Sequence, residues 1–235
     1  MATRTSASIP NPLSEQNTSA LAKVWQSITA DSCPHAYNFH MHTLYSDGKL
    51  EPEKLMEQVC RIGLKGMAIT DHHGIKGYQI AKSWLNQVEQ KQVYDSLPHL
   101  WTGVEITSEL LGTEVHILGY GFDPQDAQLR RNYFQGSAPS GKSKLAKKVI
   151  SALHKAGGLA VLAHPFRYQV GGKELIPAAA DLGIDGVETY YAYRSTNPWQ
   201  SSPQQTADTE LLTEQYSLLR TCGTDTHGYN LMLRI

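Results

Sequence analysis

The chain has 235 residues, a formal net charge of −1 and a pI near 6.8, with 40% hydrophobic and 18% charged residues. That length suits one well-buried domain, and the near-neutral balance excludes a broad basic surface for nucleic acid or an anionic membrane. The cysteines Cys33, Cys60 and Cys222 are odd in number and widely spaced. Neither a disulfide framework nor a CxxC zinc site is therefore expected, and a reducing, cytoplasmic setting fits.

No apolar run approaches the ~20 residues of a membrane span, and residues 1–19 lack the apolar core of a secretory signal. Residues 1–30 are expected to form a disordered or weakly ordered tail before a single domain over 36–235. From Tyr37 onward, strand-like runs alternate with helical periodicity. YNFHMH (37–42) opens the series, and the helix EPEKLMEQVCRIG follows, with Pro52 in its first turn, apolar Leu55, Val59 and Ile62, and Gly63 as its stop.

GMAIT (66–70), LWTGVEIT (100–107) and TEVHILGY (113–120) read as strands, the last two joined by ELLGTE. That turn is too short for a crossover helix, so this pair is expected to be antiparallel or irregular. KSKLAKKVISALHKAGG repeats Leu145, Val149, Ala152, Leu153 and Ala156 at helical spacing and ends at Gly157. The strands GLAVLAH (158–164), DGVETYY (185–191) and LLRTCGT (218–224) alternate with the weaker helices KELIPAAADLG and TADTELLTEQYSLL. Seven strands interleaved mostly with helices predict an α/β fold with a mainly parallel sheet, and closure into a barrel buries such short strands most simply.

In that arrangement functional side chains project from the C-terminal strand ends. Those ends read His40 and His42, Asp71 and His72, Glu105, His164, and Asp225 and His227; His116 lies inside a strand and Asp47 follows the first one. In HxH both side chains reach one face of an extended strand, so they can share an ion, and DTH does the same with a carboxylate and an imidazole. Mixed nitrogen and oxygen ligands suit Mn²⁺, Fe²⁺ or Zn²⁺. A lone histidine on an apolar strand is more often a bonded core residue than a ligand, and His35, His99 and His154 are read as surface residues. The matched strand-end placement of the rest points to a metal centre.

Taken in order, NFHMHTLYSDG, AITDHHG, GVEIT, EVHILGYG, AVLAHPFRY and CGTDTHG resemble the successive motifs of the PHP (polymerase and histidinol phosphatase) family. The resemblance runs from about Tyr37 to the C-terminus, and the pattern is most similar to stand-alone phosphatases acting on nucleotide monophosphates and bisphosphates. It implies a distorted seven-stranded (β/α)7 TIM-like barrel, two to three divalent ions (Mn, Fe or Zn) and metal-dependent phosphoesterase activity on a small phosphorylated substrate. By this likeness His40, His42, Glu105 and Asp225 would hold one ion, with Glu105 bridging to a second held by His116 and His164. Asp47, His72 and His227 would hold a third. Asp71 matches a carboxylate that orients a ligating histidine. Three divalent ions would outweigh the three carboxylates and make the centre an anion trap, where a metal-bridged hydroxide would attack phosphorus.

Two departures from the family bear on the substrate. His73 stands where relatives commonly carry Asp, and it either protonates a leaving group or faces solvent. Only about twenty residues separate Tyr120 from the next helix, so the subdomain that nucleotide-cleaving relatives insert there is expected to be absent or minimal, with 121–140 as a linker. Arg167 and Tyr168 remain as candidate phosphate contacts. Other readings are a phosphodiesterase or exonuclease on short oligonucleotides, a non-catalytic PHP module, and amidohydrolase chemistry, for which no lysine ends a strand. GSAPSGKS (136–143) matches the P-loop expression GxxxxGK[ST], but its feed AQLRRNYFQ is polar, so it is assigned to a linker and the P-loop nucleotide binder is a minor rival.

Overall fold

The computed structural model describes residues 15–234. Of the expected tail, residues 1–14 lie outside the described residues. The remainder differs from expectation: Thr18–Gln26 forms helix α1, capped by the Asn17 side chain, which accepts from the Ala20 N–H. α1 buries Leu21 and Trp25, and the Trp25 ring meets Tyr120 edge-on at 5.2 Å and Phe39 at 5.8 Å. Aromatic burial of this size outweighs the polar text that surrounds it.

Among the described residues eight strands follow in two sheets. β1 (Tyr37–Asn38), β2 (Gly66–Ala68) and β3 (His99–Trp101) form a parallel three-stranded sheet in that order. β4 (Gly103–Leu110), β5 (Thr113–Tyr120), β6 (Leu159–Leu162), β7 (Gly186–Tyr190) and β8 (Leu219–Cys222) form the second sheet, again in sequence order. The β4–β5 pair is antiparallel, as its short turn requires, and Leu111 and Gly112 both take positive φ there. β5–β6 is also antiparallel, which the helical text between them did not suggest, while β6–β7 and β7–β8 are parallel.

This differs from one continuous seven-stranded ladder. The run 100–107 breaks at Thr102, whose hydroxyl donates to the Phe122 carbonyl while its own carbonyl accepts from Gly121 N–H. Gly103 then passes so close to the Ile69 carbonyl that a Cβ would not fit, and the chain moves from one sheet to the other. The sheets meet through single bridges, Met41↔Thr226 and His72↔Glu105, reinforced by Phe39 N–H to the Cys222 carbonyl and Asp225 N–H to the His40 carbonyl. The joins fall on the stretches that carry the histidines and carboxylates.

Helices cover the outside. α2 (Pro52–Ile62) starts at Pro52 and stops at left-handed Gly63; α3 (Lys76–Gln90), unread in the sequence, packs against it. The expected 121–140 linker is ordered: α4 (Ala127–Asn132) is capped by Asp126 and buries Leu129, and Tyr133 is buried just beyond it. A 3-10 turn at Gly141–Lys144 leads to α5 (Ala146–Lys155), followed by α6 (Gly172–Asp181) and α7 (Pro203–Gln215). No strand feeds GSAPSGKS, so the strand–loop–helix context of a P-loop is missing here. Among the described residues no helix is long and apolar enough to cross a membrane.

Candidate metal centre

The chain brings its dispersed histidines and carboxylates to one rim. Among the described residues four overlapping groups have ligand atoms within 4.8 Å of one another: His40, His42, Glu105 and Asp225; His42, Asp47, His72 and His227; His72, Glu105 and His116; and His40, His164 and Glu188. Glu105, 1% exposed, sits at the junction. Its Oε2 lies 2.9 Å from His40 Nε2 and 3.0 Å from His42 Nε2, while Oε1 lies 2.7 Å from His116 Nδ1 and 3.3 Å from His164 Nε2. One carboxylate thus faces two separate pairs of imidazoles.

The arrangement fits bound cations better than mutual hydrogen bonding. His42 Nε2 approaches Glu105 Oε2 and, at 3.3 Å, Asp225 Oδ1, yet has hydrogen-bond geometry to neither. His72 Nδ1, His73 Nδ1 and His164 Nδ1 are likewise buried without a hydrogen-bond partner. Buried polar atoms left so are costly, and His42 Nε2, which faces two carboxylate oxygens without bonding either, suits a site that takes ions.

Electrostatics follow the packing. Burial pulls His40 down, but Glu188, Glu105 and Asp225 outweigh it and hold the ring well above the usual imidazole range. His42 is raised to about 9 against the same burial penalty, because Asp225 and Glu105 face it. Burial pushes Glu105 and Asp225 up, yet the His40 charge and its neighbours hold both well below the ordinary carboxylate range. Burial lowers His72 to about 4, and it also lowers His164 and His73.

Other expected residues take different places. Asp71 reaches a histidine through Ser46, whose Oγ lies 3.4 Å from His42 Nδ1. It accepts from Thr43 N–H (2.7 Å), Thr43 Oγ1 (2.6 Å) and Ser46 Oγ (2.9 Å), and so braces the loop that carries Asp47. A Cβ at Gly77 would run into this carboxylate. His73 does not face solvent: it is 6% exposed, at φ 52°, with Nε2 3.1 Å from Thr107 Oγ1. Arg167 donates to Asp225 Oδ2 at 3.0 Å, at the mouth of the centre. Tyr168 is held by protein instead, its hydroxyl accepting from His116 N–H at 2.7 Å. His154 lies 2.7 Å from Asp185 and His99 is half-buried against Trp101, neither near the rim.

Three residues at the centre were missed. Glu188, fully buried, faces His40 Nδ1 at 2.8 Å and accepts from His164 N–H at 2.9 Å. It thereby fixes one ring and holds a backbone at the strained φ of 27°. Tyr191 Oη donates to Asp225 Oδ2 at 2.7 Å, and Arg234 Nε donates to the same oxygen at 3.2 Å. Glu188 had a legible signal, as the one charged residue in the apolar run GVETYY; Tyr191 and Arg234 had none.

An α/β fold with this density of imidazole and carboxylate defines a metal-binding protein. The PHP domain family matches residues 38–222, and the chain belongs to that family. The 5'-3' exoribonuclease of Haemophilus influenzae is 25% identical, over 65% of this chain and 78% of its own length. The 5'-3' exoribonuclease Rnm of Salmonella typhimurium is 24% identical, over 81% and 85%. Among solved structures, a Bifidobacterium adolescentis protein provisionally assigned as a metal-dependent phosphoesterase superposes with a TM-score of 0.67 at 23% identity, covering 83% of this chain and 89% of its own. An amidohydrolase of Chromobacterium violaceum, solved with sulfate and no metal, gives 0.67 at 18%, covering 85% and 90%. These two likenesses concern the fold.

Proposed function

We propose that the chain hydrolyses phosphate esters, with phosphomonoesters of nucleotides or small metabolites as its first substrates. The observation that carries this reading is Glu105, whose two oxygens face separate histidine pairs in the manner of a bridging ligand. Two to three Mn, Fe or Zn ions in these groups would supply a nucleophile ionised near neutral pH and neutralise charge on the phosphoryl oxygens. Asp225 and Glu105 hold the imidazoles of the first group, and Asp47, braced through the Asp71 loop, completes the outer one. Arg167 and Arg234 line the same cleft of about 210 Å³, where their guanidinium groups can take phosphoryl oxygens. His73 is buried with Nε2 3.1 Å from Thr107 Oγ1, and burial lowers its imidazole pKa from the ordinary value, which disfavours the protonated form that donation to a leaving group would use.

The test is release of inorganic phosphate from a panel of nucleotides, sugar phosphates and 4-nitrophenyl phosphate by Mn²⁺-loaded protein. Hydrolysis abolished by a chelator and restored by metal is expected. A fully metal-loaded protein that cleaves no ester of the panel overturns the reading.

A second reading, exonucleolytic cleavage of short oligonucleotides, draws on the curated relatives and on two exposed rings beside the outer group. Tyr45 (43% exposed) precedes Asp47 by two residues, and Tyr229 (71% exposed) follows His227 by two. Such rings can stack unpaired bases.

A further inference from the structure

Beyond Asp225 and His227 the chain turns back on itself. Asp225, Thr226 and His227 each make one bond to the returning residues Leu233 and Arg234. Arg234 Nε donates to Asp225 Oδ2 at 3.2 Å, the Thr226 hydroxyl donates to the Leu233 carbonyl at 2.7 Å, and His227 N–H donates to the Arg234 carbonyl at 2.8 Å. Two candidate ligands of the metal centre are therefore held by a segment, 228–234, that contains no histidine or carboxylate of its own.

The far side of this turn is anchored to α2 by one side chain. Gln58 Oε1 accepts from Leu231 N–H at 3.1 Å, and its Nε2 donates to the Tyr229 carbonyl at 2.8 Å. One primary amide thus meets the segment's backbone at two positions, once as acceptor and once as donor. Between them Asn230 closes the turn, its Oδ1 accepting from Met232 N–H at 2.9 Å. Leu231 is fully buried, in the same core to which α2 gives Leu55, Met56 and Val59. Gln58 itself bonds no candidate ligand; both of its bonds go to the segment.

The geometry of Asp225 explains why the turn matters. Its φ of 53° is a left-handed conformation that a residue other than glycine keeps only when its surroundings impose it. Its Oδ2 takes donors from Arg167, Tyr191 and Arg234, which leaves Oδ1 to face His40 Nε2 at 3.4 Å and His42 Nε2 at 3.3 Å. Arg167 and Tyr191 follow β6 and β7, so of the three donors Arg234 alone depends on the turn.

We propose that Gln58 is a positioning residue of the metal centre, acting through the 228–234 turn on Asp225 and His227. The assignment rests on the metal-dependent reading and deepens it. Gln58 holds the turn, the turn delivers Arg234, and Arg234 helps to decide which Asp225 oxygen faces the imidazoles. Removing the amide lets Leu233 and Arg234 shift while Leu231 and α2 stay packed in the core.

The experiment compares wild type with Gln58→Met, which keeps the length and removes both bonds, and with Lys54→Met as a control. Lys54 lies one turn earlier on α2 and, among the described residues, pairs only with Glu57. In Mn²⁺ titrations Gln58→Met should bind at least one ion about tenfold more weakly, with Lys54→Met within about twofold of wild type. Gln58→Met combined with Arg234→Gln should lose less than the product of the two single losses, because both act on Asp225. Losses that multiply, or an unchanged Mn²⁺ affinity with only a lower unfolding midpoint, overturn the proposal. If wild type takes up no metal, the metal-dependent reading fails by itself, and amide hydrogen exchange of the metal-free protein decides. Exchange at His227 N–H at least about tenfold faster in Gln58→Met, and not in Lys54→Met, supports the positioning role; equal exchange overturns it.

Discussion

His40 is held between two buried carboxylates, with Nδ1 2.8 Å from Glu188 Oε1 and Nε2 2.9 Å from Glu105 Oε2. A ring so placed has one nitrogen for orientation and one for an ion, and Glu188 decides which is which. Glu188→Gln keeps the volume and removes the charge that fixes this tautomer. It should weaken one ion by about 10- to 100-fold and lower turnover to match, with the fold retained. Metal titration followed by elemental analysis reads this directly. Unchanged occupancy and turnover would mean that His40 is oriented by other groups.

Metal uptake should be coupled to protons. In the metal-free protein His40 is raised well above the imidazole range and His42 to about 9, so both rings are protonated at pH 7 and an ion must displace those protons. Because the folded pKa values are raised, protonation stabilises the metal-free fold fully below the ordinary imidazole pKa, and this contribution is lost as pH rises through about 9. Metal affinity runs the opposite way and should increase by at least about tenfold per pH unit between pH 6 and 8. Calorimetry in two buffers of different ionisation enthalpy should show proton release. A pH-independent affinity would contradict the protonated cluster.

Trp25→Ala tests whether α1 belongs to the domain. Trp25 is 1% exposed and packs edge-on against Tyr120 and Phe39. Its truncation should cost about 3–5 kcal/mol in urea unfolding at fixed metal concentration. A change near zero would return residues 18–26 to the status of a tail.

Lys142→Ala should leave ester hydrolysis and ATP affinity unchanged. Lys142 is exposed in a 3-10 turn that no strand feeds. Loss of measurable ATP binding in this variant would revive the P-loop reading.

Much of the centre could be read from period-two spacing, because HxH and DTH place paired ligands on one strand face wherever the sheet ends. Asp47, His72, Glu105, His116, His164 and His227 were foreseen at the rim on the same grounds or by family resemblance. Glu188 escaped because no motif marks it, although a lone carboxylate in an apolar strand needs a buried partner. Asp71 reaches the His42 ring through Ser46, whose Oγ donates to the carboxylate and lies 3.4 Å from His42 Nδ1, a link set by a loop and not by spacing. α3 was missed because its start carries Gly77, no cap and no acidic first turn. The break at Thr102 depends on contacts with Phe122 and Ile69, which are remote in sequence, so a single strand was the natural expectation.

The central claim is that Glu105 is shared by two ions, and a paired metal count tests it most directly. Glu105→Gln removes charge from a carboxylate that faces His40 and His42 through one oxygen and His116 and His164 through the other. His72 lies farther out, 3.6 Å from Glu105 Oε2 and 3.6 Å from Asp47 Oδ2, between the outer group and the group of Glu105 and His116. Glu105→Gln should lose at least one and up to two metal equivalents, with turnover down by orders of magnitude. His72→Ala should lose a single equivalent and keep residual activity. Equal metal loss in the two variants, or an active Glu105→Gln protein, would contradict the bridge.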